Sequence, residues 1–206
     1  MSRPAPSRAA ETARTLALAV VLALGVRTGI AQAYVVEGPS MEPSLVDTQR
    51  LFVLRAAYGL SVPFRTEALT TWASPSVGDV VVIESPADGM DLVKRVVGLP
   101  GDEIEVRDGQ LVRNGVAVAQ ELVGPCDPDQ HLDYEPGCVV VEEHVGARRW
   151  ATSHTVVGPA ITDVAPVRVP AGHVFVMGDH RDRSNDSRFF GPVPMSYLRG
   201  RVLFVE

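Results

Sequence analysis

The chain has 206 residues, of which 46% are hydrophobic and 21% charged, and its formal net charge at pH 7 is −6. This composition predicts a globular protein with one well-buried domain and room for a smaller inserted lobe. The acidic balance and the scattered basic residues argue against nucleic acid as a partner, because phosphate binding requires clustered Lys and Arg. Only two cysteines are present, so a disulfide-dense scaffold is excluded.

The N-terminal segment decides the compartment. Arginines precede an apolar run over 16–26, and after one interruption mostly apolar residues continue over 28–36. One interpretation is a cleaved secretory signal with a small-x-small site at Ala31-Gln32-Ala33. The other is an uncleaved anchor over 15–36, about 33 Å long as a helix, after a cytoplasmic tail of residues 1–14. Both place the rest of the chain outside the cytoplasm, because the positive charges precede the apolar run.

The remainder of the chain predicts an all-β fold. Apolar, β-branched runs recur between turn signals rich in Pro, Gly and Asn. The pair Asn114-Gly115 predicts a hairpin that joins 110–113 to 116–119. Residues 68–73 are expected to form one helical turn at most. The predicted strands are 50–54, 79–83, 92–97, 103–106, 110–113, 139–141, 173–177 and 201–205.

The stretch 124–170 differs from its surroundings, because it is polar, rich in Pro and Gly, and holds both cysteines. It is interpreted as part of an inserted lobe with shorter strands. The predicted organisation is a β core formed by 37–105 and 171–206, into which a variable β lobe of residues 106–170 is inserted.

Cys126 and Cys138 have neither the C-x-x-C spacing nor the nearby His pair of a zinc site, so no metal is expected. They enclose a short loop in a compartment that favours oxidation, which predicts a disulfide worth about 3 kcal/mol. Two free cysteines are the alternative.

Ser40 lies within Glu37-Gly-Pro-Ser-Met-Glu-Pro-Ser-Leu45. Pro39 and Pro43 prevent a regular helix or strand interior, and Gly38 is free to adopt an unusual φ. The segment is therefore expected to hold Ser40 on a fixed, exposed turn. On these residues alone, a surface turn without any chemistry is the alternative.

Lys94 lies in the predicted strand 92–97. Because side chains alternate between the two faces of a strand, Leu92, Lys94 and Val96 share one face. An apolar face disfavours the charged form of a lysine and lowers its pKa, which a general base near neutral pH requires. The alternative is an edge lysine whose ammonium group reaches solvent.

A third segment, Met177-Gly-Asp-His-Arg-Asp-Arg-Ser-Asn-Asp-Ser-Arg188, directly follows the predicted strand 173–177. Its alternating Asp and Arg predict a loop cross-linked by ion pairs and by side chain–backbone hydrogen bonds. A calcium site is disfavoured because three arginines lie among the carboxylates. His180 could in principle act as a base for Ser40, but a structural role is favoured for a histidine in such a loop.

Four blocks follow one another along the chain after the apolar stretch: Gly38-Pro-Ser-Met-Glu-Pro-Ser-Leu45, Gly78-Asp-Val-Val-Val82, Lys94-Arg-Val-Val-Gly-Leu-Pro-Gly-Asp102 and Gly178-Asp-His-Arg-Asp-Arg-Ser-Asn-Asp-Ser-Arg188. Taken in this order, they resemble the bacterial type I signal peptidases, which are serine peptidases with a Ser/Lys dyad. The resemblance does not extend clearly to 106–170. It implies removal of N-terminal signal peptides from exported preproteins at the outer face of the cytoplasmic membrane, through an acyl-enzyme and without a cofactor.

The resemblance also implies a role for individual residues. Ser40 corresponds to the nucleophile, Lys94 to the general base, and Ser184 to a serine that hydrogen-bonds and orients the lysine. The backbone N–H of Ser40 corresponds to the oxyanion hole. The loop would be braced by ion pairs for which the matching residues are Asp186 with Arg188 and Asp179 with Arg95.

This chain departs from the family pattern at three positions. Gly38 stands where some members carry a serine that adds a hydroxyl to the oxyanion hole, so that side-chain donor is absent here. His180 stands where an Asn is usual, and Phe190 where an aromatic residue, often Trp, is usual. The last two departures do not touch the implied proton transfers.

For partners, the resemblance implies preproteins with small residues at −1 and −3, and membrane lipid against an apolar surface near Phe52, Phe64 and Trp72. It favours a single-pass anchor over 15–36 with a cytoplasmic N-terminus, although Ala31-Gln32-Ala33 itself resembles a substrate and is a conceivable self-cleavage site. Two other classes compete. A self-cleaving repressor would carry a helix-turn-helix in place of the apolar stretch, and an anchored, catalytically silent β domain would tolerate loss of Ser40 or Lys94.

Overall fold

The structure is a computed structural model that describes residues 8, 11–12, 14–18, 31–61, 68–129, 131–132, 134–155 and 163–206. Most described residues from Ala31 onward lie in β-strands, which confirms the all-β prediction. Three short helical segments interrupt the strands: an α-helix at Ser187–Phe190 and 3-10 turns at Arg55–Ala57 and Met195–Tyr197.

A seven-stranded antiparallel sheet carries the residues that the sequence places in the β core. Its strands are β1 (Ala31–Val35), β2 (Arg50–Leu54), β5 (Val80–Glu84), β6 (Asp91–Gly98), β14 (His173–Met177), β15 (Val193–Pro194) and β16 (Leu198–Val205). Their order in the sheet is β1-β2-β16-β5-β6-β14-β15, so the last strand of the chain lies between β2 and β5.

Three smaller antiparallel sheets complete the described fold. The hairpin predicted at Asn114-Gly115 is confirmed, because β8 (Gln110–Arg113) and β9 (Val116–Ala117) pair across it. A two-stranded sheet contains β3 (Gly59–Ser61) and β4 (Ala68–Thr71). A four-stranded sheet has the order β13 (Val164–Arg168), β7 (Glu103–Arg107), β8 (Gln110–Arg113), β9 (Val116–Ala117), and a three-stranded sheet has the order β10 (Ala119–Pro125), β11 (Val139–Val145), β12 (Arg148–His154).

The central strands of the large sheet are buried on both faces. Val81 and Val82 are adjacent in β5 and both fully buried, yet they belong to different hydrophobic clusters. Val96 and Val97 of β6 are divided in the same way. This arrangement explains why these strands read as continuous apolar runs rather than as alternating patterns. The middle of β6 is therefore a place where a charged side chain loses contact with water.

Two predictions about local structure are wrong. Residues 68–71 form strand β4 rather than a helical turn, because their backbone pairs with β3. The predicted anchor over 15–36 cannot be helical to its end, because Ala31–Val35 form β1 and pair with β2. Residues 19–30 of that segment lie outside the described residues. Within the described part of the chain, no helix has the length and apolar character needed to cross a bilayer.

Candidate active site

Ser40 lies on a tight turn between β1 and β2. The backbone N–H of Gly38, at φ +82°, donates to Asp47 Oδ1 over 2.8 Å and so closes the start of the turn. Beyond the serine, the side chains of Met41 and Leu45 are buried in the cluster that contains Leu51 of β2. The turn is thus fixed on both sides of Ser40, whose own side chain is half-buried.

Lys94 lies in the middle of β6 and is 2% exposed. In the antiparallel register it is directly opposite Val81, so an aliphatic side chain shares its face of the sheet. Its Nζ lies 2.9 Å from Ser40 Oγ and donates a second hydrogen bond to the Val93 carbonyl over 2.8 Å. The structure therefore brings together two residues that lie 54 positions apart in the sequence.

Burial lowers the pKa of Lys94 from 10.5 to about 8, because the ammonium form loses its hydration. The negative charges of Asp186 and Asp179 oppose this effect in part, and Arg188 adds slightly to it. Among the described residues Lys94 forms no ion pair. A lysine in this state carries a substantial neutral fraction near neutral pH and can accept a proton from the hydroxyl beside it.

The loop after β14 holds two buried ion pairs. Arg95 donates to both carboxylate oxygens of Asp179, over 2.8 Å from Nε and 2.5 Å from Nη2, and its guanidinium lies 5.3 Å from the Trp150 ring centroid. Arg188 likewise donates to both oxygens of Asp186, over 2.8 and 2.9 Å. These are the pairings for which the family resemblance gave the matching residues, with Asp179 and Arg95 as candidates. Bidentate Arg–carboxylate geometry fixes orientation as well as charge.

Ser184 is buried close to the Ser40 backbone, but its Oγ forms no hydrogen bond with any described residue. It packs on Gly178 so closely that a Cβ there would lie 2.2 Å from Ser184 Oγ and 2.4 Å from the Ser40 carbonyl oxygen. The implied hydrogen bond from Ser184 to Lys94 is not formed in this structure. A buried hydroxyl without a hydrogen-bond partner lowers the stability of the fold, which suggests that this hydroxyl has a partner at some stage of the reaction.

The backbone N–H of Ser40 donates to no carbonyl among the described residues, whereas that of Gly38 is already committed to Asp47. Of the two, only the Ser40 N–H is left to face an oxyanion. A serine at position 38 would meet no steric obstacle from neighbouring atoms, but the positive φ disfavours any residue with a Cβ.

Cys126 and Cys138 form a disulfide in the structure. Their sulfur atoms lie near a nitrogen of His131, but bonded sulfurs are not available as thiolate ligands. The side chains of Glu121, Glu142 and His144 also place three ligand-type atoms within 4.8 Å of one another on the surface of the three-stranded sheet. Neither group includes Ser40 or Lys94.

Among the buried polar residues around Ser40 and Lys94, Glu42 and Ser153 were not singled out from the sequence, whereas His180 was. Glu42 follows Ser40 by two positions and is fully buried, and Ser153 of β12 donates from Oγ to its carbonyl over 3.0 Å. His180, for which a structural role was favoured, donates from its backbone N–H to the Ser40 carbonyl over 3.2 Å. Glu42 lies inside a motif that was read for its serine and prolines, so its burial gave no separate sequence signal.

A serine hydroxyl in contact with a buried, partly neutral lysine on a rigid β scaffold defines a class of hydrolases that use a Ser/Lys pair in place of a histidine-based triad. Comparison with known proteins agrees with this class. The family model described as "Signal peptidase, peptidase S26" matches residues 9–205. The chain therefore belongs to the signal peptidase family S26, and it is a serine endopeptidase.

Individual relatives carry the same description. The chain is 34% identical over 178 residues to signal peptidase I of Bacillus licheniformis, an alignment that covers 86% of this chain and 77% of that protein. It is 30% identical over 199 residues to probable signal peptidase I-2 of Synechocystis sp., covering 93% and 70% respectively. A crystal structure of a signal peptidase I from Enterococcus faecalis is 28% identical and covers 64% of this chain and 98% of that one, with a TM-score of 0.38.

Proposed function

We propose that this chain removes N-terminal signal peptides from exported preproteins, with Ser40 as the nucleophile and Lys94 as the general base. The observation that supports this proposal best is the 2.9 Å contact between Lys94 Nζ and Ser40 Oγ at a lysine whose pKa is lowered to about 8. A general base works best when its pKa is close to the working pH and when it lies within hydrogen-bond distance of the proton it accepts.

In the acylation half of the reaction, neutral Lys94 accepts the proton of the Ser40 hydroxyl while Oγ attacks the scissile carbonyl carbon. Negative charge develops on the carbonyl oxygen, and the Ser40 backbone N–H is the donor on hand to stabilise it. The tetrahedral intermediate then expels the amine of the mature protein, which takes its proton from the Lys94 ammonium. The signal peptide remains as an ester on Ser40.

In the deacylation half, Lys94 is neutral again and accepts a proton from a water molecule that attacks the ester carbonyl. Collapse of the second tetrahedral intermediate returns the proton to Ser40 Oγ and releases the signal peptide with a free carboxylate. The same lysine thus acts as base and then acid in each half, and no cofactor takes part.

The surrounding residues would keep Lys94 aimed at Ser40. We assign Ser184 to the lysine: its free hydroxyl can accept a hydrogen bond when Lys94 is protonated. The Asp179–Arg95 and Asp186–Arg188 pairs would hold the loop that carries Ser184. Asp186 supports this assignment because its Oδ2 also accepts from the Gly178 N–H over 2.9 Å.

For substrate and lipid, the proposal follows the family. Small residues at −1 and −3 would fill shallow apolar pockets that admit little else. An apolar face of β1, β2 and β16 is suited to lipid, because Phe52 stacks on Phe204 at 4.3 Å and both Val35 (56%) and Phe204 (55%) are exposed. Trp72 is also exposed, at 57%, whereas Phe64 lies outside the described residues.

The proposed organisation is an N-terminal anchor that precedes β1, with the catalytic residues on the outer side of the cytoplasmic membrane. The core of 37–105 and 171–206 would carry the chemistry, and residues 106–170 would form the inserted lobe. The separate sheets formed by β7–β9 with β13 and by β10–β12 support an inserted lobe, although β7 begins at Glu103 and so crosses the proposed boundary.

A cleavage assay on a model preprotein tests the proposal. Ser40→Ala and Lys94→Met should each lower kcat by at least about 1,000-fold, since each removes a group without which acylation stops. Ser196→Ala, on an exposed turn, is the matched control and should cleave at the wild-type rate. Wild-type activity in either of the first two variants would refute the dyad, whereas the absence of cleavage by the wild-type chain would favour an anchored domain without catalytic function.

A further inference from the structure

A group of buried polar residues lies behind Ser40 and takes no part in the proton transfers proposed above. Glu42 and His180 are both 0% exposed. They come from distant segments, one from the serine turn and the other from the loop after β14. A buried carboxylate and a buried imidazole both need polar partners, so the contacts of these two residues indicate which parts of the chain they hold in place.

The two residues hold the backbone on either side of the nucleophile. The N–H of Glu42 donates to the Pro39 carbonyl over 3.1 Å, and the N–H of His180 donates to the Ser40 carbonyl over 3.2 Å. Their side chains face each other, with His180 Nδ1 3.5 Å from Glu42 Oε2. The contact between them therefore closes a ring around the backbone of residues 39–42.

The inserted lobe is attached to the same ring. The N–H of Leu132, inside the disulfide-closed loop, donates to Glu42 Oε1 over 2.9 Å. Ser153 of β12 donates from Oγ to the Glu42 carbonyl. Its backbone N–H donates to the Asp179 carbonyl and its carbonyl accepts from the Arg181 N–H, each over 3.0 Å, so β12 is also joined to residues 179–181. Glu42 is thus the residue at which the serine turn, the lobe and the Asp/Arg loop meet.

We propose that Glu42 and His180 are positioning residues that hold Ser40 Oγ against Lys94 Nζ, and that Leu132 and Ser153 make the inserted lobe part of this support. The inference rests on the proposed function, since it takes Ser40 as the nucleophile. Its physical basis is that proton transfer and attack require near-exact placement, so a small displacement of a reacting atom costs up to about 100-fold in rate.

Steady-state kinetics of the full chain on a model preprotein test this inference. Glu42→Gln keeps an acceptor for Leu132 but removes the charge that faces His180, and should lower kcat about tenfold while KM stays within about twofold. His180→Ala should have a similar effect, and the double variant should be no slower than either single variant because both break one contact. His180→Asn supplies an amide donor of similar reach and should restore at least a third of the wild-type kcat.

The pH–rate profile separates positioning from a general loosening of the site. The charges that act on Lys94 are those of Asp186, Asp179 and Arg188, not that of Glu42. Glu42→Gln should therefore lower the rate at every pH and leave the inflection near pH 8 unchanged. A site that had merely opened would hydrate Lys94 and move the inflection upward.

Glu135→Gln is the matched control, because it breaks the Arg183–Glu135 ion pair of the same disulfide loop without touching Glu42. Its kcat should equal that of the wild type. If Glu42→Gln fails to fold, Ser153→Ala replaces it, because it removes one hydrogen bond to Glu42 and should lower kcat about threefold.

Wild-type kcat in Glu42→Gln and His180→Ala, or multiplying effects in the double variant, would overturn the inference. An active Ser40→Ala would instead refute the proposed function, so the two failures are distinguishable.

Discussion

The protonation state of Lys94 gives the most direct test of the proposed chemistry. With a pKa of about 8, roughly a tenth of the lysine is neutral at pH 7, whereas an ordinary pKa of 10.5 would leave about 0.03% neutral. The difference is about 300-fold in the concentration of active base. The rate should therefore rise about tenfold for each pH unit below pH 8 and level off above it.

Two measurements check this expectation. The first is kcat/KM on a model preprotein between about pH 6 and pH 10.5, which reports the pKa of the free enzyme. The second uses the fact that Lys94 is the only lysine in the chain. Selective isotopic labelling of lysine gives a single side-chain NMR signal, so its titration can be followed without assignment.

Ser40→Ala is the control in the NMR titration. Because burial rather than the serine lowers the pKa of Lys94, the titration midpoint should stay near 8 in that variant. A midpoint near 10.5, or a rate that still climbs at pH 10, would refute the claim of a desolvated base.

The same pKa makes a prediction about stability with a definite sign. Between about pH 8 and pH 10.5 the unfolded chain holds a proton on this lysine that the folded chain has released. The free energy of unfolding should therefore rise with pH across this window, by about 3 kcal/mol from Lys94 alone, and be lower by that amount below pH 8. In Lys94→Met this contribution to the pH dependence should vanish.

Two further predictions concern the surroundings of the pair. Ser184→Ala should lower kcat at least about tenfold, because the hydroxyl is proposed to orient the protonated lysine. The thermal unfolding midpoint should not fall, because the hydroxyl that is removed has no hydrogen-bond partner among the described residues. A lower midpoint with an unchanged kcat would contradict both expectations. Phe204→Ser should weaken binding to phospholipid vesicles several-fold, because it removes an exposed apolar ring. Cleavage of a short soluble peptide should stay at the wild-type rate. An equal loss in both assays would indicate misfolding of β16 instead.

The strands were predictable because their physical causes are local. β2, β8 and β14 have the predicted bounds, since each has an apolar run of strand-forming residues between turn residues. The prediction for residues 68–71 failed for an equally clear reason. This segment is short and has no alternating apolar pattern, so its conformation depends on the pairing of β4 with β3. The strand β1 was missed because its apolar residues continue the hydrophobic run that precedes it.

The contact between Ser40 and Lys94 could not be derived from local patterns. The turn residues around Ser40 predict a fixed serine, and the apolar neighbours of Lys94 predict a desolvated lysine, but neither pattern contains a distance. The contact depends on the packing of the serine turn against β6, which only the ordered motifs of the family implied. One sequence signal was not used: Lys94 is the only lysine in a chain whose other Lys/Arg residues are all arginines.

The two adjacent cations of β6 show why that lysine is not replaceable by arginine. Arg95 faces a fully buried carboxylate, Asp179, and forms a bidentate ion pair with it, so its permanent charge is compensated. Lys94 points to the other face, where its described hydrogen-bond partners are a hydroxyl and a carbonyl. A guanidinium placed there would keep its charge, since arginine does not deprotonate in proteins. Strand alternation thus separates a structural cation from a titratable one, and only the second can serve as a base.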